Sequence, residues 1–323
     1  MSRSFRPSVL IVALALLAGA CSSGSSHAPG AAASGGKGAV RIGVSIQDLE
    51  AQFYEDMVRG MREQAAKYGY SLAVVDANRD NARQQSQVED FISQHDAAII
   101  LTPYDSQAIG SAIAEANRAG VPVFTADIAS TSPLGHVIAH VASDNVQGGY
   151  QAGLLMCAAV HGHGEIAIID QPEVTSVQDR VRGFKQAIAQ HCPAVRIVAD
   201  VDAGGQRDKA NSDMGDLLQA HPHLAGVFGI NDDSALGALA AVQAAGLAGK
   251  IQIVGFDATP EARAAIAKGW IYGDAIQHPE EIGKRVIEIV HAYLTGKHVP
   301  ARVQIPVGTF TRADATQGGS AAR

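Results

Sequence analysis

The chain has 323 residues, of which 47 % are hydrophobic and 18 % charged, with a formal net charge of −7. An apolar share of that size supports a large buried core, and the length suits two domains better than one. The negative balance comes with no basic stripe, which argues against a nucleic-acid partner.

Taken in chain order, residues 1–21 read as an export signal with a lipobox. Arg3 and Arg6 form a short positive start, residues 9–18 are almost wholly apolar, and small residues lead into Cys21. The apolar run is about half of the ~20 residues that a membrane-spanning helix needs, so the segment reads as a removed signal. Leu17-Ala18-Gly19-Ala20-Cys21 resembles the lipobox of lipoproteins, whose cysteine is lipidated and becomes the new N-terminus. An ordinary cleavage site beside a chance cysteine is the alternative. Residues 22–38 are rich in Ser, Gly and Ala and read as a flexible tether, and 316–323 as a disordered tail. The expected location is the periplasm or cell exterior, lipid-anchored to a membrane.

The body, residues 39–315, alternates short apolar runs with amphipathic stretches. Strands are predicted at 40–45, 72–76, 98–102, 121–125 and 137–141, then at 165–169, 196–199, 226–229, 252–255 and 271–276. Most are rich in Val and Ile and several are apolar throughout, as strands buried on both faces of a parallel sheet must be. Helices are predicted at 53–68, 84–94, 108–119, 177–191, 209–219, 234–245 and 260–268, with Gly69, Gly120 and Gly246 where left-handed caps are wanted. Strand–helix–strand repetition means parallel units with right-handed crossovers. The pattern breaks near Asp144-Asn145 and then runs again. The expected fold class is α/β, with two Rossmann-like lobes.

In open parallel sheets, ligands sit beyond the carboxyl ends of the strands. The residues there are Ser45-Ile46-Gln47, Asp76, Thr102-Pro103, Asp127, Asp144-Asn145, Asp170, Asn231-Asp232, Asp257 and Gln277. For any one of them a helix cap or turn is the simpler reading. A set drawn from both lobes points to binding. Carboxylates accept hydrogen bonds, a guanidinium donates and amides do both, while aromatic rings cover C–H faces. Asp127, Asp257, Arg180, Asn231, Gln277, Phe53 and Tyr54 together suit a polyhydroxylated ligand better than a metal or a nucleotide.

Other signals are weak. Asp76 to Gln87 begins like a calcium loop but has Asn81 at the glycine position and Gln87 at the glutamate position. His161 with His163, and His221 with His223, lack a third ligand in sequence. No P-loop, Gly-x-Ser-x-Gly motif or dinucleotide fingerprint is present. No metal or cofactor is expected. Asp232-Asp233 reads as a helix start more readily than as a catalytic pair. Cys157 and Cys192 either form a bridge, which an oxidising compartment permits, or stay as buried thiols.

The chain resembles the periplasmic sugar-binding proteins of the ribose-binding type over nearly all of 39–313. The residues that carry the likeness are Arg41-Ile42-Gly43-Val44-Ser45, Phe53-Tyr54, Leu101-Thr102-Pro103, Val121-Pro122-Val123-Phe124-Thr125-Ala126-Asp127 and Ala142-Ser143-Asp144-Asn145. Further along they are Arg180-Val181-Arg182-Gly183-Phe184, Val227-Phe228-Gly229-Ile230-Asn231-Asp232, Val254-Gly255-Phe256-Asp257 and Ile276-Gln277.

The resemblance implies a type I periplasmic binding protein with a three-stranded hinge. Its N-terminal lobe would be 39–142 plus 278–304, and its C-terminal lobe 143–277 plus 305–315. Crossings would fall near 142–144, 277–278 and 304–308. Phe53 and Tyr54 would stack on a sugar ring, and Thr102 and Asp127 would act from the first lobe. Arg180, Asn231, Asp257 and Gln277 would act from the second lobe and the hinge. The implied function is a monomeric, non-enzymatic solute-binding protein that hands a sugar or polyol to an ABC importer permease. Presentation of the ligand to a chemoreceptor or sensor kinase, or a glycan-acting enzyme on the same fold, are the alternatives. The sequence departs from the family at three places. Ile128 stands where an arginine is common, and Gly205-Gln206 where an aromatic is expected. The first loop is longer, which brings Gln47 or Asp48 toward the site. A different sugar, or a smaller or acyclic polyol, fits these changes at least as well as ribose.

Overall fold

The computed structural model describes residues 40–316. The export signal with Cys21, the tether, and tail residues 317–323 lie outside the described residues.

In chain order the elements are β1 (Arg41–Ile46), α1 (Gln52–Tyr68), β2 (Ser71–Asp76), α2 (Asn81–Ser93), β3 (Ala98–Leu101), α3 (Gly110–Arg118), β4 (Val123–Ala126) and β5 (Ala139–Ser143). Then come α4 (Asn145–Ala159), β6 (His163–Asp170), α5 (Thr175–His191), β7 (Ala194–Asp202), α6 (Arg207–Ala220), β8 (Leu224–Gly229), α7 (Asp232–Ala244) and β9 (Gln252–Asp257). The chain finishes with α8 (Pro260–Ala267), β10 (Gly273–Ile276), α9 (Pro279–Leu294), β11 (Arg302–Ile305), β12 (Gly308–Thr311) and α10 (Arg312–Thr316).

The strands build two six-stranded sheets, ordered β11-β5-β4-β3-β1-β2 and β12-β10-β9-β8-β6-β7. All pairings are parallel except β10 with β12. The central strands are short and sealed on both faces: β3 and β4 are buried at every position, as two-sided helix packing requires. Ile42, Val44, Phe124 and Val141 join α1 and α9 on one face of the first sheet, and Ile99, Leu101 and Val123 join α2 and α3 on the other. The second sheet is sandwiched in the same way. Three of its helices, α4, α7 and α8, start on side-chain caps, with Asp144, Asn231 and Thr259 each accepting from a first-turn amide.

The two sheet orders are the same pattern repeated, with β1 matching β6, β4 matching β9 and β11 matching β12. The chain passes between the sheets three times: after β5, after β10, and between β11 and β12. The first two passages lead into α4 and α9, the two long helices missing from the sequence-based expectation. α4 follows a first-sheet strand yet packs on α5 and the second sheet, and α9 follows a second-sheet strand yet packs on α1 and the first sheet.

Glycines permit both packings. A Cβ on Gly60 would lie 2.2 Å from the Glu280 carbonyl oxygen, and one on Gly283 would lie 2.0 Å from that of Met57. The equivalent pair repeats this: Gly149 would meet the Arg180 carbonyl at 1.9 Å and Gly183 that of Val146 at 2.1 Å. Backbones come this close only where neither helix carries a side chain. In the second lobe a disulfide between Cys157 and Cys192, with Cα atoms 5.8 Å apart, also ties α4 to the end of α5.

Candidate functional site

The carboxyl ends of both sheets face a shared cleft. Two matching strand ends put an aspartate there in a backbone conformation that side-chain-bearing residues avoid. Asp127, after β4, has φ 62°, and Asp257, at the end of β9, has φ 115° with Ala258 next at 58°. Such geometry costs on the order of 1–3 kcal/mol per residue and concentrates at functional sites. The first turn is held by the Asp127 amide donating to the Val141 carbonyl (2.8 Å) and the Ile128 amide to that of Ala126 (2.7 Å).

The two carboxylates are supported differently. The Tyr54 hydroxyl donates to Asp127 Oδ2 at 3.2 Å, and Gln47 Nε2 donates to the Tyr54 oxygen. Asp127 Oδ1 is buried without a protein partner. Gln277 Nε2 donates to Asp257 Oδ1 at 2.6 Å, and its own Oε1 is buried and unpartnered. Arg180 reaches the same space from α5. Its Nε donates to Asn145 Oδ1 (2.9 Å), its Nη1 donates to the Ile230 carbonyl (2.8 Å), and its guanidinium lies 4.0 Å from the Phe256 ring centre.

These groups surround a cavity of ≈ 350 Å³. Phe53 and Tyr54 close one side as an edge-to-face pair, ring centres 5.2 Å apart. Burial pushes the Asp127 carboxyl up from its ordinary range, against the pull of Arg180 and Tyr54. Burial also drives the Asp257 carboxyl well up, with Arg180 opposing and Asp232 adding repulsion. The Tyr54 phenol is raised by burial and by the Asp127 charge. Beneath the cavity Asp232 and Asp274 crowd the α-carbon of Gly255, where a Cβ would sit 2.4 Å from Asp274 Oδ1 and 3.1 Å from Asp232 Oδ1. Burial raises both carboxyls, Asp274 to about 7.

The lobes are drawn together over the cavity. Arg79 pairs with Asp48 in the first lobe and donates to the Gly204 carbonyl in the second at 2.7 Å. Ser106 takes part twice, its amide donating to the Glu173 carbonyl (3.1 Å) and its Oγ accepting from the Thr175 amide (3.0 Å). The Ala129 amide donates to Thr175 Oγ1 at 3.0 Å.

Of the residues expected at the site, Phe53, Tyr54, Asp127, Arg180, Asn231, Asp257 and Gln277 line this cavity. Asn231 is also committed to the fold, since its Oδ1 caps α7 and its Nδ2 donates to the Gly205 carbonyl. Gln47 stands behind Tyr54 and outside the lining. Thr102 is fully buried away from the lining, and its carbonyl accepts from Gln84.

Sequence reasoning missed Gln171, Ser176, Arg207 and Thr259. Gln171 and Thr259 had a usable signal, standing one and two positions past strand ends. Gln171 Oε1 lies 2.6 Å from where a Gly205 Cβ would be, so Gly205 is the space that admits this amide. Arg207, at the mouth, pairs with Asp233 and Glu261, and no local pattern marks it. Among the described residues, no group of three or more His, Cys, Asp or Glu could hold a metal ion.

A family profile described as "Periplasmic binding protein domain" matches residues 42–298. The chain is 35 % identical over 265 residues to the ribose import binding protein RbsB of Salmonella typhimurium, covering 82 % of this chain and 88 % of that protein. Among solved structures, an ABC transporter solute-binding protein from Agrobacterium vitis, bound with α-D-tagatopyranose, superposes with a TM-score of 0.82 at 28 % identity, over 87 % of this chain and 97 % of that one. A Caulobacter myo-inositol binding protein bound to myo-inositol gives 0.81 at 28 %, over 86 % and 95 %.

Proposed function

The chain belongs to the periplasmic binding protein family, and we propose that it captures a sugar or polyol between its lobes and delivers it to an ABC importer. One observation carries this reading. Buried acceptors with no protein partner, Asp127 Oδ1 and Gln277 Oε1, converge from different lobes on a cavity backed by Phe53 and Tyr54. An unpaired buried polar atom costs about 1–3 kcal/mol. A polyhydroxylated ligand supplies donors to both acceptors and lays its C–H surface on the rings. Arg180, already oriented by Asn145 and the Ile230 carbonyl, donates to the same ligand. Proteins of this family bind rather than transform their ligands, and delivery then rests on hinge closure that the ligand stabilises.

The finer placement is also a proposal. Cys21 carries lipid after removal of residues 1–20, and the segment 22–38 tethers a monomeric body to the membrane. The basic start, the short apolar run and the small residues before Cys21 support this. Replacing Cys21 with Ala should move the protein from the membrane fraction to the soluble one, and unchanged membrane retention would refute the anchor.

The binding reading is tested by unfolding freshly purified protein and identifying what it releases. Release of a sugar or polyol that rebinds at one equivalent after refolding is the expected result. If no such compound is released and none from a broad panel binds to the refolded protein, the reading fails.

A further inference from the structure

The cavity has one corner with a different chemistry. Ile128, Val174, Val177 and Ile230 all line it. The same four side chains belong to a single buried hydrophobic cluster, each at 3 % exposure or less. That cluster packs one face of the second lobe's sheet, yet Ile128 comes from the first lobe. It sits between Asp127, which turns into the site, and Ala129, which is pinned to Thr175 across the cleft. The first lobe therefore inserts an aliphatic side chain into the second lobe's core beside the ligand space.

Aliphatic side chains offer a ligand no hydrogen bond. A hydroxyl directed onto these four side chains would lose its water and gain no partner from them. Two polar side chains come from the same stretch of chain. Gln171 is turned toward Gly205 and Asn231. Ser176 lies between Val174 and Val177 in the chain. The C–H face of a ring is already served by Phe53 and Tyr54, so this second apolar surface has a different use.

Building on the proposed function, we propose that Ile128 is a specificity-determining residue. It selects a sugar or polyol that presents a hydrogen or a methyl group, rather than a hydroxyl, to this corner: a deoxy compound.

The test uses purified protein, stripped by unfolding and refolding, titrated calorimetrically with three pairs that differ by one hydroxyl. They are D-fucose and D-galactose, L-rhamnose and L-mannose, and 2-deoxy-D-ribose and D-ribose. In at least one pair the deoxy member should bind about ten- to a hundredfold tighter. Ile128→Thr, which puts a hydroxyl where the ethyl arm was, should shrink that ratio by roughly tenfold. Equal or tighter binding of the hydroxylated member in every pair that binds would overturn the proposal and leave sugar binding intact. Binding of only a fully hydroxylated compound outside the pairs would overturn it in the same way. An equal loss for both members in Ile128→Thr would also overturn it, because a residue that merely seals the lobes weakens all ligands alike. Silence toward every sugar and polyol would overturn this proposal and the proposed function together.

Discussion

The two lobes repeat one design and differ in what each side chain does with it. Asp127 and Asp257 occupy matching strand ends, both with positive φ. In the first lobe the carboxylate is backed by a phenol, Tyr54, which Gln47 supports in turn. In the second it is backed by an amide, Gln277, from the hinge. Met57 and Arg180 are matched in the same way, each three residues ahead of a glycine at which two helices touch. Met57 is core, while Arg180 is a cation in the cavity. The backbone supplies equivalent positions, and the residue type decides which lobe contributes apolar surface and which contributes charge.

The largest predicted effect comes from removing that charge. Arg180→Ala removes a guanidinium whose charge opposes the upward push of burial on Asp127 and Asp257, together with the charged donor proposed for the ligand. Ligand affinity should fall by about 10²- to 10³-fold in a calorimetric titration. Asp127→Ala should weaken binding comparably from the other lobe. Near-unchanged affinity in both would show that the cleft is not the binding site.

Next is the disulfide, a device of the second lobe alone, since residues 40–142 contain no cysteine. Cys157→Ser with Cys192→Ser should cost about 3–4 kcal/mol by the chain-entropy argument for a loop of 35 residues' separation. Chemical denaturation would read this directly, and an unaltered midpoint would contradict it.

The glycine contacts test the symmetry itself. Gly60→Ala and Gly183→Ala should destabilise to similar extents, about 1–3 kcal/mol each, because each Cβ would press on a facing backbone carbonyl. A loss in one with none in the other would break the proposed equivalence.

A pH dependence is expected at Asp274. Its folded-state pKa of about 7 lies above the ~3.9 of an unfolded aspartate. The stability this group contributes is present below the unfolded value and lost as pH rises through 7. Asp274→Asn should therefore raise the melting temperature at pH 8 relative to wild type and flatten the decline between pH 5 and 8. A variant less stable than wild type at pH 8 would contradict the upward shift of Asp274.

Much of this was legible in the sequence. Apolar runs such as Ala98–Leu101 announced buried parallel strands, and the strand-end rule pointed to Asp127 and Asp257. α4 was not, because Gly148, Gly149 and Gly153 weaken its helical signature for the sake of close contacts, the first with Phe256 and the other two with α5. α9 carries a clear amphipathic pattern and is absent from the expected helices all the same, and its return to the first sheet is a fact of topology that no local window contains. Thr102 and Gln47 illustrate a limit of strand-end reasoning: it finds the right loop but not which side chains turn outward. Ile128 read as an absent donor in the sequence, and only packing reveals the apolar corner it helps build.

The central claim is that the cleft closes on a sugar or polyol. Melting temperature of the stripped protein against a panel of pentoses, hexoses, deoxy sugars and polyols tests it most directly. Ligand at 1,000 times its Kd stabilises by about 4.1 kcal/mol, which should raise Tm by roughly 8–16 °C for lobes of this size. The account predicts one such shift in wild type and its loss in Arg180→Ala. A cooperative melt that no member of the panel moves would contradict it.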